Sequence, residues 1–206
     1  EIRQVRTGDG KIGPELGFGW VLGDYHDEPV LILKTSQGNR SLAWDFLPPG
    51  SERYEVGDKV YAGYKDRKPS WDKGTEPEPV NWYAGKQYDD CVSAAKQVLD
   101  NFDENFPHWK GRGYEIAGFV WFQGFNDMVS RDVYPTLPND ASGNRFAKYS
   151  QWLADFIRDV RKDLDAPEMP FVIGELGTDE LLDLFELRPY ADTACGRLSA
   201  GNKQKV

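Results

Sequence analysis

Histidine, cysteine and methionine each occur only twice in these 206 residues. Two cysteines, Cys91 and Cys195, make neither a disulfide framework nor a four-ligand zinc site. Cys91 falls on an apolar helical face, which reads as burial. His26 and His108 complete a thin set of nucleophilic and metal-binding groups, and no metal or organic cofactor is implied. No apolar run approaches the ~20 residues needed to span a bilayer. Basic residues are outnumbered, 25 Lys and Arg against 34 Asp and Glu, for a net charge of −9. That balance disfavours nucleic acid, whose phosphates need a basic face, and it disfavours an anionic membrane surface. The sequence opens on Glu1 without a leader pattern, which reads as a processed product or a fragment.

Aromatic residues, by contrast, are abundant. Seven Trp, ten Tyr and eleven Phe make up 14% of the chain, and apolar residues 39%. This composition belongs to a globular chain and not to a disordered one. Two roles are open to the aromatics, core packing and stacking on sugar rings. The length suits one domain with a sizeable core.

Residues 1–11 read as polar loop. A helix is expected from Gly13, with Pro14 in its first turn, Glu15 complementing the dipole, and Leu16, Trp20 and Val21 on one face. Gly17, Gly19 and Gly23 oppose it by propensity but would permit close packing on a strand. The run Pro29–Thr35 reads as a strand buried on both faces, ending in the polar turn Ser36–Ser41. Between Ala43 and Tyr83, prolines and charges exclude long regular structure, and scattered aromatics favour an ordered insertion.

A long amphipathic helix follows from Gly85 to Phe106, with Tyr88, Cys91, Val92, Ala95, Leu99, Phe102 and Phe106 at helical spacing. Pro107 ends it. Ile116–Phe122 is an apolar run that stops at Gln123-Gly124-Phe125-Asn126-Asp127, the pattern of a buried strand opening into a loop. Residues 130–144 read as loop, about 145–165 as a second amphipathic helix, and 170–176 as a third buried strand. After Thr178, residues 180–187 read as helix and 188–206 carry no strand signal. Alternating helices and strands predict an α/β fold with a parallel sheet flanked by helices. In such sheets ligands bind at the carboxyl ends of strands, which places Gln123, Asn126 and Asp127 where chemistry is expected.

Four segments in order resemble the SGNH (GDSL-like) hydrolases, in particular their sialate O-acetylesterase group, related to the acetylxylan esterases of carbohydrate esterase family six. Ile12–Gly19 is similar to the family's helix after its first insertion. Leu33-Lys34-Thr35-Ser36-Gln37-Gly38 is similar to the second block, a strand ending in an oxyanion-hole glycine. Gly118–Asp127, with its Gly124-x-Asn126-Asp127, is similar to the third block, and Pro170–Gly177 to the strand after it.

The resemblance implies a flavodoxin-like three-layer αβα sandwich and removal of acetyl groups from sugar hydroxyls. A serine would attack the ester carbonyl, with a histidine as base oriented by an aspartate. It maps the backbone N–H of Gly38 and the side-chain amide of Asn126 onto the oxyanion hole, with Gln123 as the alternative donor. It also places Asn39, Arg40, Glu15 and Asp127 beside the substrate. Each has a structural alternative: a positive-φ turn for Gly38, a cap for Asn126, an N-cap or loop orienter for Asp127, a helix-start charge for Glu15, and an ion pair for Arg40.

The family's nucleophile block belongs on a first strand ahead of Gly13, and nothing there resembles it. Ser36 and Ser41 flank the oxyanion glycine and do not fit. The family's Asp-x-x-His lies near its C-terminus, whereas no histidine follows His108 here. The expectation is one domain over 1–206, incomplete at its N-terminus, atypical after about 178, and without ester hydrolysis by itself. A sheet lacking its first strand would expose apolar edges and favour self-association. Acetylated sugar is the implied partner, and export the implied location. The alternatives are a non-catalytic carbohydrate-binding relative using the aromatics between Trp44 and Tyr83, and an interaction fragment.

Overall fold

The computed structural model describes residues 13–130, 132–136 and 145–174. The first residues through Ile12, Cys195, residues 175–176 of the third predicted strand, the predicted helix at 180–187 and the tail after it lie outside the described residues. So does most of the predicted loop at 130–144.

Helix α1 spans Pro14–Tyr25, with Pro14 at its start and Glu15 in its first turn. It buries none of its residues. Trp20 and Val21, expected on a packed face, are 61% and 65% exposed. Of its glycines, Gly19 alone is approached by the segment after it. A Cβ on Gly19 would lie 2.8 Å from the Cδ1 of Ile32.

Residues 29–35 do not form the expected buried strand. They run irregularly, and Val30 and Leu31 are 38% and 44% exposed. A strand exists through its ladder, and this run has no paired neighbour among the described residues. Side chains hold it instead. Thr35 Oγ1 lies 2.9 Å from Cys91 Sγ, Gln87 Nε2 donates to the Thr35 carbonyl, and Lys34 pairs with Glu15 at 2.7 Å.

The proline-rich stretch is ordered by a small sheet that its sequence did not announce. Strands β1 (Tyr54–Val56), β2 (Lys59–Tyr61) and β3 (Ser70–Asp72) form an antiparallel meander. Val56 pairs with Lys59 across the two-residue turn Gly57-Asp58, and Gly57 takes the left-handed φ of 58° that tight hairpins require. Tyr54 stacks on Tyr61 at 5.0 Å.

Helix α2 (Lys86–Asp100) buries Gln87, Tyr88, Cys91 and Val92. Its amphipathic pattern continues past its end. The helix breaks at Asn101, and the short α3 (Phe102–Asn105) follows before a 3-10 turn at Pro107–Trp109. Phe102 therefore packs on Phe106 and Tyr114 rather than on the main core. Gly85 precedes α2 at φ 87°, and a Cβ there would meet Tyr64 and the Leu47 carbonyl, so only glycine fits.

Strand β4 (Phe119–Trp121), helix α4 (Phe125–Val129), helix α5 (Tyr149–Asp163) and strand β5 (Phe171–Ile173) complete the order. β4 and β5 pair in parallel with Val120 opposite Val172. This is the parallel pairing that alternating helices and strands predicted, here as two strands. Phe156 of α5 is fully buried, and rings from Phe46, Tyr88, Phe119, Trp121 and Phe171 surround it at 4.7–6.1 Å. Burying such a side chain contributes about 1.5–3 kcal/mol. The other sheet face is open among the described residues, with Val120, Phe122 and Val172 each 45–55% exposed.

One charge on α5 opposes folding. Burial, then Asp163, then Asp155 raise the Asp159 carboxyl above its ordinary range. A carboxyl whose folded pKa exceeds its unfolded one destabilises the fold where both are ionised. That cost disappears as pH falls through the folded pKa. Asp159→Asn is expected to raise the thermal midpoint at pH 7, with the advantage shrinking toward pH 4. A constant difference across that range, followed by calorimetry, would contradict it.

Candidate active site

Strand β4 ends at Trp121, and the chain turns through Phe122, Gln123 and Gly124 into α4. Trp121 is 3% exposed, anchoring the strand end in the aromatic core. Its indole Nε1 donates to Tyr149 Oη at 3.2 Å. The same hydroxyl lies 3.1 Å from the Gln123 carbonyl and 3.2 Å from Gln123 Oε1. Gln123 is thereby held from α5, while its amide nitrogen points the other way. Gln123 Nε2 donates to the Arg40 carbonyl at 3.0 Å and to Asp127 Oδ2 at 2.5 Å. Both of its N–H groups are spent inside the protein.

Asp127 is 2% exposed. Its Oδ2 accepts the Leu42 N–H at 2.8 Å as well as the Gln123 amide. Its Oδ1 accepts the Ala43 N–H at 3.0 Å and the Tyr134 hydroxyl at 2.7 Å. Burial and the adjacent carboxylate push the Tyr134 phenol up, so it remains a donor at any ordinary pH. Leu42 and Ala43 open the turned segment 42–46, whose first N–H groups, like those of a helix, have no backbone acceptor. Asp127 therefore caps a turn 85 residues away in sequence. Its carboxylate is buried and occupied, so it orients the loop rather than facing the solvent as a substrate contact would.

The loop before that turn carries the other expected residues. Gly38 is exposed, and a Cβ on it would meet nothing within 4 Å. The left-handed residue is its neighbour Asn39, at φ 60°, so Gly38 is not there to supply a positive φ. The Gly38 N–H has no hydrogen-bond partner among the described residues. The side-chain amide of Asn126, half-buried on α4, has none either. Arg40 is committed. It donates to Asp45 Oδ1 at 3.1 Å and to Gln37 Oε1, and its guanidinium lies 4.0 Å above the Trp82 ring. Glu15 pairs with Lys34 on the strand-like segment leading to Gly38, and the hydrogen bond from Lys34 holds its carboxyl below the usual range.

The fold thus brings the Ser36–Arg40 loop against the end of β4 through Gln123, and the following turn against α4 through Asp127. Glu15 joins this region only through Lys34. Tyr134, Tyr149 and the two amides of Leu42 and Ala43 carry no sequence signal for this role. Backbone N–H groups leave no trace in residue identity, and a tyrosine at either position reads as core.

Neither histidine belongs to this constellation. His26 follows α1, with its N–H on the Leu22 carbonyl and its ring edge-on to Tyr25. His108 sits in the 3-10 turn after Pro107. Hollows of about 270 and 430 Å³ lie along α5, beside Pro49–Ser51 and Asp165–Pro167, and no site residue lines them. No cluster of three metal-ligating side chains occurs among the described residues. No helix among them is long and apolar enough to cross a membrane.

Tyr149→Phe is expected to lower unfolding stability by about 1–3 kcal/mol, because it strands the buried Trp121 N–H. Urea titration followed by tryptophan fluorescence measures it, and an unchanged midpoint would show that Trp121 finds another acceptor.

A family model described as carbohydrate esterase, sialic acid-specific acetylesterase, matches residues 4–194. No curated protein and no solved structure matches the chain. With most of its length matched, and with the strand-end loops arranged as described, the chain belongs to this sialic acid-specific acetylesterase family of carbohydrate esterases.

Proposed function

We propose that the chain carries the electrophile-stabilising half of a carbohydrate O-acetylesterase site that acts on acetyl esters of sugars. The observation carrying this reading is the pair of donors without a partner among the described residues, the Gly38 N–H on its loop and the Asn126 amide on α4, on segments tied together by Gln123 and Asp127. In acyl transfer the carbonyl oxygen gains negative charge, and a donor fixed beforehand at that oxygen lowers the barrier by about 3 kcal/mol. Gln123 supports the geometry from behind, since its own N–H groups are engaged. Asn39 and the rim of Arg40 flank the acyl position on the same loop.

The attacking half is a serine whose proton passes to a histidine and on to the departing sugar oxygen. Both histidines of this chain precede the Gly124–Asp127 block, and no hydrogen bond joins either to a serine or aspartate among the described residues. The polypeptide by itself is therefore expected not to turn over esters. This same fact favours a second reading, a non-catalytic carbohydrate-binding relative. The stacking platform once open to it is reduced, because Trp44, Tyr61 and Trp71 are core residues, each no more than 9% exposed. The flavodoxin-like three-layer sandwich is part of the proposal, supported by the parallel β4–β5 pair with α5 on one face.

A steady-state assay on an aryl acetate is expected to give buffer-level rates, and turnover well above buffer would overturn the missing-half reading. In the same preparation, titration with an O-acetylated sialic acid is expected to shift the Gly38 amide and Asn126 side-chain NMR signals. The deacetylated sugar should shift them less, and equal responses would remove the acetyl site.

Self-association belongs to the same proposal, supported by the apolar outer face of β4 and β5. Light scattering is expected to show a mass above 23.4 kDa, reduced by Val120→Lys with Val172→Lys. A monomer at high micromolar concentration would refute association.

A further inference from the structure

The geometry points to Asp127 as the positioning residue of the site: through the Leu42 and Ala43 N–H groups it sets where the Gly38 loop stands relative to Asn126. This rests on the reading of Gly38 and Asn126 as the acyl-oxygen donors. Asp127 itself touches neither donor group and no substrate. It adjoins Asn126 in the chain, and its two oxygens hold the turn that begins four residues after Gly38. Gln123 adds a second tie from the same oxygen, by way of the Arg40 carbonyl, two residues after Gly38.

The choice of a carboxylate is specific. Each oxygen accepts two donors: the Leu42 N–H and the Gln123 amide on one, the Ala43 N–H and the Tyr134 hydroxyl on the other. The two backbone N–H groups can only donate, the Tyr134 hydroxyl also has lone pairs, and Gln123 could accept only by turning its Oε1 away from Tyr149. An asparagine at 127 would turn an NH2 group toward the Leu42 or the Ala43 N–H in either orientation, and at least one buried hydrogen bond would be lost. The groups are buried, with Leu42 fully enclosed and Ala43 5% exposed, so water cannot replace them cheaply. The turn is also fastened on its far side. The Gly85 N–H donates to the Trp44 carbonyl and the Gln87 N–H to the Asp45 carbonyl. Asp45 ties the near end as well, its Oδ2 accepting the Ser41 N–H and hydroxyl and its Oδ1 the Arg40 guanidinium. Loss of Asp127 thus loosens the end of the turn that continues into the Gly38 loop, leaving Asp45 and Gln123 as its remaining ties.

The test uses the ligand-free full chain, so its outcome is independent of whether the site binds acetylated sugar. Asp127→Asn is expected to speed hydrogen exchange at the Leu42 and Ala43 amides roughly ten- to hundredfold. It should also displace the resonances of the Gly38 amide and the Asn126 side-chain NH2. Tyr134→Phe, which removes one donor of four, should do the same to a smaller extent and serves where Asp127→Asn fails to fold. Tyr88→Phe is the control, since it breaks another buried tyrosine–aspartate bond, 2.6 Å to Asp163. It should leave Gly38 and Asn126 unmoved. The inference is overturned if exchange at Leu42 and Ala43 quickens while the Gly38 and Asn126 signals stay in place. It is equally overturned if Tyr88→Phe displaces them as far. A wild-type protein whose Gly38 and Asn126 ignore O-acetylated sialic acid would refute the donor assignment, while the exchange and shift comparison would still decide the positioning role.

Discussion

A carboxylate buried to 2% exposure sets the terms for the functional half of this molecule. An ionised group removed from water must find its hydrogen bonds inside the protein, and Asp127 draws them from four places: two successive amides at 42 and 43, the Gln123 side chain and the Tyr134 hydroxyl. These partners lie up to 85 residues from it in the chain. Satisfying one charge therefore fixes the relation between the Gly38 loop, the end of β4 and the chain beyond α4. Tyr149 reinforces the arrangement from α5, by way of Trp121 and Gln123.

Beneath these polar ties is an aromatic core centred on Phe156. Rings from the turned segment, α2, β4 and β5 meet it, so both parallel strands and the helix between them share one packing site. This accounts for the high aromatic content without a ligand. Much of the supply is consumed in packing or in tyrosine–aspartate bonds, such as those of Tyr64 and Tyr83 to Asp89. Burial and Asp89 push the Tyr83 phenol up to about 12, so this bond persists through the working pH range. In the proposed function, sugar recognition is assigned to the polar loop around Gly38 and not to an aromatic platform.

The family was legible in the sequence, as were several elements, and the reasons are local. An apolar run closed by Gln-Gly-Phe-Asn-Asp records both a buried strand and its loop, and β4 and α4 follow it. The amphipathic spacing over about 145–165 is a clear helix signal, and α5 realises it over the shorter span Tyr149–Asp163. The run at 29–35 misled because hydrophobicity reports burial, whereas a strand requires a neighbour to complete its ladder. The meander of β1 to β3 was hidden because strands of three residues in a proline-rich stretch give too short a period to read.

The sequence by itself determined which residue types are available: donors at Gly38 and Asn126, a carboxylate at 127, and no histidine after position 108. Those are properties of side chains and their order, and folding does not alter them. Only the tertiary structure decided which of them are free. Gln123, the alternative donor on sequence, has both amide hydrogens engaged, Arg40 is held by Asp45 and Gln37, and Asp127 is enclosed. Gly38 and Asn126 keep unpartnered donors among the described residues. The physical reason is that hydrogen-bond capacity is finite, and its allocation depends on contacts between segments far apart in the chain.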